Sequence, residues 1–306
     1  TSGKVKILPE RFEKVYLSWI DNLRDWGISR QIWYGIRLPV WYKPPAPFGD
    51  DLDYIVSKDR PPGEGWEQFS DTLDTWFSAG LWTFSTLGWP KETEDLKTFH
   101  PTDVLETGYD ILFFWVARMI LMSQVLLGDI PFRTVYLHGL VRDEKNRKIS
   151  KSLGNNINPL DMMGQYGTDA IRMAMIIGTS VGNDSKVSPE KFKAYKHFAN
   201  KLWNIARFIL ISVPDENIAE TPLTPEDKQL LDQLQELVKD TTQDMENFKF
   251  YLAAEKIYHY TWHTFADKIV EESKTKLSSK DSNIKASAQR MLLETLTTSI
   301  KLLHPF

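Results

Sequence analysis

A strand, a glycine and a helix in succession constrain the fold of this 306-residue chain more than any other feature. Thr102–Thr107 is typical of a short strand, Gly108 of a tight turn and Asp110–Gln124 of a buried helix. Thr134–Val141 predicts the next strand. A strand–helix–strand unit favours a parallel sheet, and the turn before such a helix is the usual place for a nucleotide ligand.

Polar residues at the ends of these two strands are candidates for that ligand. Asp110 stands at the predicted helix start, where its carboxylate either caps the helix or accepts hydrogen bonds from ribose hydroxyls. His138 and Gly139 lie near the end of the second strand. The two strand ends are therefore expected to converge on one crevice.

A lysine-rich loop, Lys148–Asn155, follows the second strand directly. Lys148 and Lys151 stand three residues apart with Ser150 between them. A lysine is a compact, mobile charge with three donors, which suits phosphate oxygens. Fixed cations are most useful where charge develops on a leaving pyrophosphate, because they then act mainly on the transition state. The alternative is a solvated surface loop, which is the usual explanation of an isolated pair of this spacing.

The second half of the chain is predicted to be helical. Ser188 and Thr224 are good N-cap residues, each followed by proline at the first helical position. Apolar residues recur at helical spacing in four long stretches, the last of them Ile284–Leu303. Four long helices with short links favour an antiparallel bundle.

The first hundred residues are less regular. Arg11–Trp26 predicts an amphipathic helix, and the Pro- and Gly-rich residues 43–69 predict an exposed insertion or long loop. Asp71 and Asp74 could suggest paired carboxylates, but the intervening pattern favours a structural role.

Composition excludes several classes of function. The net charge is −4, which argues against a generic nucleic-acid coat or polybasic membrane binding. Cysteine is absent, which excludes disulfides and cysteine-ligated zinc. His259 and His263 lie four apart, but the HExxH glutamate is missing between them, so they are interpreted as surface or core histidines rather than zinc ligands. No stretch is expected to be long enough to span a membrane, and no signal peptide is expected.

Several ordered blocks together resemble the class I aminoacyl-tRNA synthetases. The lysine loop is similar to their KMSKS motif, with Ile149 in place of methionine. The run Gly108-Tyr109-Asp110 with the aromatic residues after it, together with Ser85–Pro90, resembles the valine-specific branch. The remaining matching blocks are Ile28–Gly35, Leu73–Ser78, Glu106–Trp115, His138–Gly139 and Asn200–Asn204.

The resemblance implies a fold that is α/β plus all-α. Residues 1–155 would form the second half of a Rossmann-like catalytic domain, and 156–187 a connecting segment that contacts the tRNA stem. Residues 188–306 would form an antiparallel helical bundle that binds the anticodon.

The resemblance also implies roles for individual residues. Lys148 and Lys151 would be catalytic, stabilising pyrophosphate as valine and ATP form valyl-adenylate. Trp76, Ile111 and Trp115 would wall the valine pocket, although the sequence alone favours core packing for the two tryptophans. The ATP-binding set would be Gly108, Asp110, His138, Gly139, Lys148, Ser150 and Lys151.

Ligands and partners follow from the same resemblance. ATP with Mg²⁺, valine and tRNA(Val) are expected, together with the N-terminal catalytic half and the editing domain of the same enzyme, in the cytoplasm and without membrane attachment. The HIGH motif of the first catalytic half is absent here, so the chain is expected to be inactive alone. Alternatives are a non-catalytic tRNA-binding fragment or paralogue, and a synthetase for isoleucine.

Overall fold

The chain forms two compact units, Thr1–Leu137 (unit 1) and His138–Phe306 (unit 2). Unit 1 combines strands with helices, and unit 2 consists of a short strand pair followed by long helices. This arrangement confirms the predicted combination of an α/β region with an all-α region. The computed structural model describes residues 3–44, 54–150, 153–213 and 218–306.

A three-stranded sheet forms the centre of unit 1. Its strands β1 (Lys6–Leu8), β7 (Thr102–Gly108) and β8 (Phe132–His138) lie in the order β1–β8–β7. β1 and β8 are parallel, with Lys6 opposite Thr134. The predicted strand 134–141 ends earlier than expected, at His138. The backbone N–H of Leu140 donates to the Asp184 carboxylate instead of to a neighbouring strand.

The segment after β7 is helical but not uniformly so. It begins with a 3₁₀ turn, Tyr109–Ile111, continues as a π-helical segment, Leu112–Ala117, and ends as α5, Arg118–Leu127. The expected tight turn at Gly108 is wrong: its φ of −66° and ψ of 142° are extended backbone that any residue adopts. The strand passes directly into the helix, whose apolar residues complete the core of Ile7, Leu105, Leu112, Val116, Met119, Phe132, Val135 and Leu137.

The same segment corrects the expectation about membrane spans. Among the residues described, Tyr109–Leu127 is long and apolar enough to cross a membrane by length and composition, with a mean hydropathy of 1.7. A third of that stretch is buried inside the protein. Leu112, Val116 and Met119 of this stretch belong to the unit 1 core.

Helix α1 runs from Arg11 to Asp21 and stops five residues before the predicted end at Trp26. The Trp26 ring instead lies against the guanidinium of Arg118, 3.6 Å from its Cζ. Short helices α2 (Thr75–Gly80), α3 (Trp82–Ser85) and α4 (Glu94–Phe99) follow later in the unit.

Short strands occupy part of the region that was expected to be a loop. β3 (Val40–Tyr42) pairs antiparallel with both β4 (Tyr54–Val56) and β5 (Glu67–Gln68). The prediction of a long loop over 43–69 is therefore wrong for β4 and β5, which are too short and too exposed to show a strand pattern; residues 45–53 lie outside the described residues. β2 (Ser29–Arg30) pairs antiparallel with β6 (Thr72–Leu73).

Unit 2 begins with a two-stranded parallel sheet. β9 (Val141–Arg142) pairs with β10 (Ser185–Lys186), and α6 (Pro159–Tyr166) and α7 (Thr168–Ile176) lie between them in the chain. Buried residues of α7 pack with Val187 and Phe192, and Ile149 of the lysine loop packs against this cluster.

Long helices make up the rest of unit 2. Ser188 and Thr224 cap the helices that begin at Pro189 and Pro225 through their side chains, as predicted. The third predicted helix is one helical run with a π-helical middle, Tyr260–Val270. A shared core contains Ile205, Leu231, Leu234, Phe265, Ile269, Met291 and Leu292, which confirms the predicted bundle. The helices are α8 (Pro189–Ser212), α9 (Pro225–Glu246), α10 (Phe250–His259), α11 (Glu271–Leu277) and α12 (Ser282–Leu303).

Candidate functional site

Two of the predicted pocket residues lie on elements that pack against each other in unit 1. Trp76 is in the first turn of α2, and its ring stacks on Phe114 of the π-helical segment at 5.8 Å between centroids. Trp115 donates from Nε1 to the carbonyl of Ala79 at 3.0 Å, and its ring lies 5.9 Å from that of Trp82. The aromatic side chains therefore hold α2 and the π-helical segment together.

The exposure of this aromatic cluster bears on the choice between core packing and a binding wall. Trp76, Ile111 and Trp115 are all half-buried, whereas Phe114 and Trp82 are each 48% exposed. A cluster of rings that reaches the surface can contact an apolar ligand without unfolding. Phe114 and Trp82 were not singled out from sequence, although Phe114 lies in the block Glu106–Trp115 that carried the resemblance.

Asp74 fixes the start of α2. Its Oδ1 accepts from the backbone N–H of Trp76 at 2.8 Å, and its Oδ2 pairs with Nε of Arg30 at 2.8 Å. Arg30 in turn donates to the carbonyls of Gly27 and Ser29. These contacts confirm the structural role predicted for Asp74. Through Asp74 and Arg30 they also connect the Trp76 backbone to the segment at Gly27, before β2.

Arg118 lies beside this connection and is buried, with 9% of its surface exposed. It donates to the carbonyl of Phe114 at 2.9 Å. Burial lowers the pKa of Arg118, while the nearby Asp74 carboxylate raises it and the Arg30 charge lowers it. An arginine keeps its charge in proteins, so Arg118 adds a fixed cation next to the aromatic cluster.

Gly108 and Asp110 occupy the junction between β7 and the 3₁₀ turn. Gly108 is buried as the last residue of the strand, and Asp110 is exposed within the first helical turn. The ring of Tyr109, between them, stacks on Phe12 at 5.6 Å. An exposed carboxylate beside backbone N–H groups at a strand end is a suitable partner for sugar hydroxyls.

His138 and Gly139 are the first residues of unit 2. His138 is exposed, and its Nδ1 lies 2.7 Å from the carbonyl oxygen of Gly139. A Cβ at position 139 would lie 1.9 Å from the carbonyl oxygen of Asn183 and 2.6 Å from the backbone nitrogen of Asp184. Position 139 therefore requires glycine because another stretch of backbone presses against it.

Asp184 also bonds to the two residues Leu140 and Arg142 that follow Gly139. Its Oδ1 accepts from the backbone N–H of Leu140 at 2.8 Å, and its Oδ2 pairs with Nε of Arg142. The sequence offered no signal for this contact, because the partners are more than forty residues apart.

The lysine loop leaves β9 through a tight turn. The backbone N–H of Asn146 bonds to the carbonyl of Asp143 at 2.9 Å, Asn146 has a φ of +62°, and Lys148 returns to form an antiparallel bridge with Arg142. Ile149, at the methionine position of the motif, bonds to the carbonyl of Val141 through its N–H. Its apolar side chain anchors the loop to the core of unit 2.

Lys148 is exposed and Ser150 is half-buried with its Oγ accepting from the N–H of Leu153 at 3.3 Å. Lys151, the second predicted catalytic lysine, lies outside the described residues, as does Ser152. Among the predicted ATP-binding residues, Gly108 and Asp110 belong to unit 1, whereas His138, Gly139, Lys148 and Ser150 belong to unit 2.

The histidine pair on the bundle lies at the surface. The rings of His259 and His263 stack at 5.6 Å, and Nδ1 of His263 lies 3.7 Å from Asp267. Within the described part of the chain, no group of three or more His, Asp or Glu side chains could hold a metal ion. Asp267 instead pairs with Lys201, whose ammonium also lies 4.3 Å from the centre of the Trp262 ring.

Comparison with known families matches most of the chain. Residues 1–47 and 48–188 match the family described as tRNA synthetases class I (I, L, M and V). Residues 227–306 match the family described as anticodon-binding domain of tRNA ligase.

Curated relatives cover the chain from end to end. The valine–tRNA ligase of Dehalococcoides mccartyi strain 195 is 48% identical over 313 residues, which is 100% of this chain and 34% of the relative. The valine–tRNA ligase of Thermotoga maritima is 46% identical over 307 residues, 100% of this chain and 35% of the relative. That of Clostridium acetobutylicum is 44% identical over 316 residues. The chain thus spans about a third of the length of these relatives.

Solved structures share the fold. The methionyl-tRNA synthetase of Mycobacterium tuberculosis in complex with methionyl-adenylate superposes with a TM-score of 0.76 at 20% identity, covering 98% of this chain and 56% of that chain. A LeuRS of Agrobacterium radiobacter K84 gives a TM-score of 0.70 at 20% identity, covering 96% and 43%. With the motif blocks, the fold and the family match in agreement, the chain belongs to the class I tRNA synthetase family.

Proposed function

We propose that this chain supplies the second half of the catalytic fold and part of the anticodon-binding bundle of a valine–tRNA ligase. The observation that carries the proposal is the 44–48% identity to valine–tRNA ligases across essentially the whole chain. Selection of valine then rests on the aromatic cluster of Trp76 and Trp115, with Ile111 as the third wall. A rigid apolar wall of this kind separates side chains that differ by one methylene by about 1–3 kcal/mol.

The reaction proceeds in two steps. A carboxylate oxygen of valine attacks the α-phosphorus of ATP, and the bond to the pyrophosphate oxygen breaks to leave valyl-adenylate. A ribose hydroxyl at the 3′ end of tRNA(Val) then attacks the adenylate carbonyl carbon, and AMP leaves. Mg²⁺ arrives with the ATP phosphates as part of the substrate.

The residues of this chain have two kinds of role, which are the stabilisation of developing charge and the positioning of the substrates. Lys148 and Lys151 stabilise the negative charge that develops on pyrophosphate, and Ser150 lies between them. His138 and Gly139 line the adenine, while Gly108 and Asp110 bind the ribose. Preorganised cations at a developing charge are worth about 10²–10³ in rate, so the lysines carry the largest single effect.

The remainder of the active site comes from another part of the same enzyme, which carries the HIGH motif; the editing domain is also a partner. In the described residues, β7 lies at the edge of its sheet, and its Val104 is 43% exposed. A strand edge of this kind is a template for pairing with a further strand. This supports a complementary half that extends the sheet at β7. The assembled enzyme would act in the cytoplasm.

Reconstitution tests the proposal. This chain mixed with the complementary part that carries HIGH is expected to catalyse valine-dependent exchange of pyrophosphate into ATP, and neither part is expected to do so alone. Absence of exchange in a mixture that forms a stable complex would contradict the proposal.

Replacing Lys148 tests the role of the lysine loop in that mixture. Lys148→Ala is expected to lower the exchange rate about 10²-fold or more, as removal of a charge that acts on the transition state does. Lys145→Ala, an exposed lysine in the same turn, is the charge-matched control and is expected to change the rate less than about threefold. Equal effects of the two substitutions would show that Lys148 acts only through the overall positive charge of this region and not through a contact with pyrophosphate.

A further inference from the structure

Asn155 connects the end of the lysine loop to its beginning. Its Nδ2 donates to Oδ2 of Asp143 at 3.1 Å and to the carbonyl of Lys148 at 3.2 Å. Its Oδ1 accepts from the backbone N–H of Ser150 at 3.0 Å. A side-chain amide offers two donors and an acceptor, and here both of its ends are used on one short stretch of chain.

Asp143 receives these bonds as part of a closed turn. Its Oδ1 accepts from the backbone N–H of Arg147 at 2.8 Å, and its Oδ2 pairs with Nε and Nη2 of Arg147 at 2.8 and 2.7 Å. Nη1 of Arg142 donates to the carbonyl of Asn146 in the same turn. The Asp143 side chain is only 14% exposed, so these contacts replace most of its contact with water.

The bonds from Asn155, and after them those from Arg147, hold the pKa of the Asp143 carboxyl well below its usual range. The carboxylate is therefore charged across the neutral range and remains an acceptor for the Asn155 amide. The turn 143–147 and the residue Asn155 form one hydrogen-bonded unit, which we name the clasp.

We propose that Asn155 is a positioning residue, which closes the clasp and so fixes the backbone on which Lys148 and Ser150 are presented to the departing pyrophosphate. The inference rests on the proposed function, because it assigns a purpose to the loop only if that loop acts on phosphate. Asn155 itself touches no substrate in this proposal. Its contribution is preorganisation of the backbone at Lys148 and Ser150.

Only an amide of this length satisfies the three partners. A carboxylate in its place accepts from Ser150 but cannot donate to Asp143 or Lys148, and it repels the Asp143 charge. Alanine removes all three bonds. These differences give each substitution at Asn155 its own expected result.

Hydrogen exchange on the chain itself tests the clasp without any activity. The Ser150 amide is expected to exchange at least about tenfold faster in Asn155→Ala, because its acceptor is gone. Asn158→Ala is the matched control: Asn158 also bonds the backbone through its side chain, to Leu160, but at the start of α6. It is expected to leave Ser150 unchanged. Unchanged Ser150 exchange in Asn155→Ala overturns the proposal.

Asn155→Asp adds a pH signature. The introduced carboxyl group faces the Asp143 carboxylate and Arg147, with Arg142 and Lys148 nearby, and repulsion between two charged carboxylates favours protonation of the introduced group as the pH falls. Its protonated form donates one hydrogen bond through O–H and accepts through C=O, so it restores two of the three bonds of the amide. Protection of Ser150, corrected for intrinsic exchange, is therefore expected to increase as the pH falls from 8 to 5. The parent chain is expected to show a flat profile, and a flat profile at parental protection in Asn155→Asp contradicts the clasp.

Kinetics in the reconstituted mixture test the purpose of the clasp. Asn155→Ala is expected to lower kcat of pyrophosphate exchange about tenfold or more while the KM for ATP changes less than about threefold, because the loop acts on the transition state. Asn155→Asp is expected to recover rate relative to the parent as the pH falls. An unchanged kcat in a variant with an open clasp overturns the positioning role and leaves the valine activity standing. Absence of exchange in the parent mixture instead contradicts the proposed function, and hydrogen exchange still decides whether the clasp exists.

Discussion

Asp74 illustrates how a single carboxylate serves local structure and a proposed binding wall together. One of its oxygens caps α2 at Trp76, and the other holds Arg30. Capping is a local effect, and the sequence predicted a structural role for this residue. The pairing with Arg30 is not local, because it joins positions more than forty residues apart along the chain.

Replacing Asp74 is expected to disturb amino-acid selection more than stability. Asp74→Ala removes an N-cap, which costs about 1 kcal/mol in unfolding free energy. It also releases the Trp76 backbone, so the preference of the reconstituted enzyme for valine over isoleucine is expected to fall about tenfold, within the 1–3 kcal/mol that one methylene contributes. The measurement is the ratio of kcat/KM values for the two amino acids.

Thr93→Ala provides the control for that experiment. Thr93 caps α4 by accepting from the N–H of Leu96 at 3.1 Å, so its loss carries a similar cost in stability at a different helix. The amino-acid preference is expected to stay at the parental value. If Asp74→Ala also leaves the preference unchanged, Asp74 does not support the pocket.

Gly139 is required by packing at the residue scale, and this can be measured apart from any ligand. Gly139→Ala places a Cβ against the Asn183 carbonyl and is expected to destabilise unit 2 by about 1–3 kcal/mol in urea unfolding. Gly164→Ala, in the middle of α6 with nothing within 4 Å of the added Cβ, is expected to stabilise it by up to about 1 kcal/mol. Equal stability of the two variants would contradict the close approach at Gly139.

At the scale of elements, helix starts were predictable because capping is a short-range interaction. Ser188 and Thr224 bond the backbone three residues ahead, and both helices begin where the cap and proline indicate. The end of α1 was not predictable, since apolar residues continue to Trp26 while the helix stops at Asp21. The Trp26 ring packs on the guanidinium of Arg118 and not within the helix, and no local pattern in the sequence reveals this contact.

The bundle depends on a buried polar contact between its helices. Asp227 of α9 is fully buried, and it accepts from Ser287 of α12 at 2.6 Å and pairs with Lys276 of α11 at 2.5 Å. Asp227→Ala leaves both partners without their acceptor and is expected to lower the unfolding free energy by about 1–3 kcal/mol. Asp232→Ala, an exposed position on the same helix, is expected to change it by less than about 0.5 kcal/mol. If the two variants differ by less than about 0.5 kcal/mol in urea unfolding, Asp227 does not stabilise the bundle.

The sequence proposes the candidate site as a set of residues and gives none of its geometry. Residue type and order nominate the lysine pair, whereas the two tryptophans and Gly139 were nominated by the family resemblance. The partners that hold them, such as Asn155 for the lysine loop and Asp184 for Leu140, are ordinary polar residues without a pattern of their own. Their roles arise only when the fold brings distant backbone together.

For the molecule as a whole, the central claim is that this chain belongs to an enzyme that activates valine. The direct measurement is the amino-acid profile of ATP–pyrophosphate exchange by the reconstituted mixture, with valine, isoleucine, leucine and methionine compared at equal concentrations below saturation. The fastest exchange is expected with valine, at least about tenfold above isoleucine. Faster exchange with any of the other three, or none with valine, would contradict it.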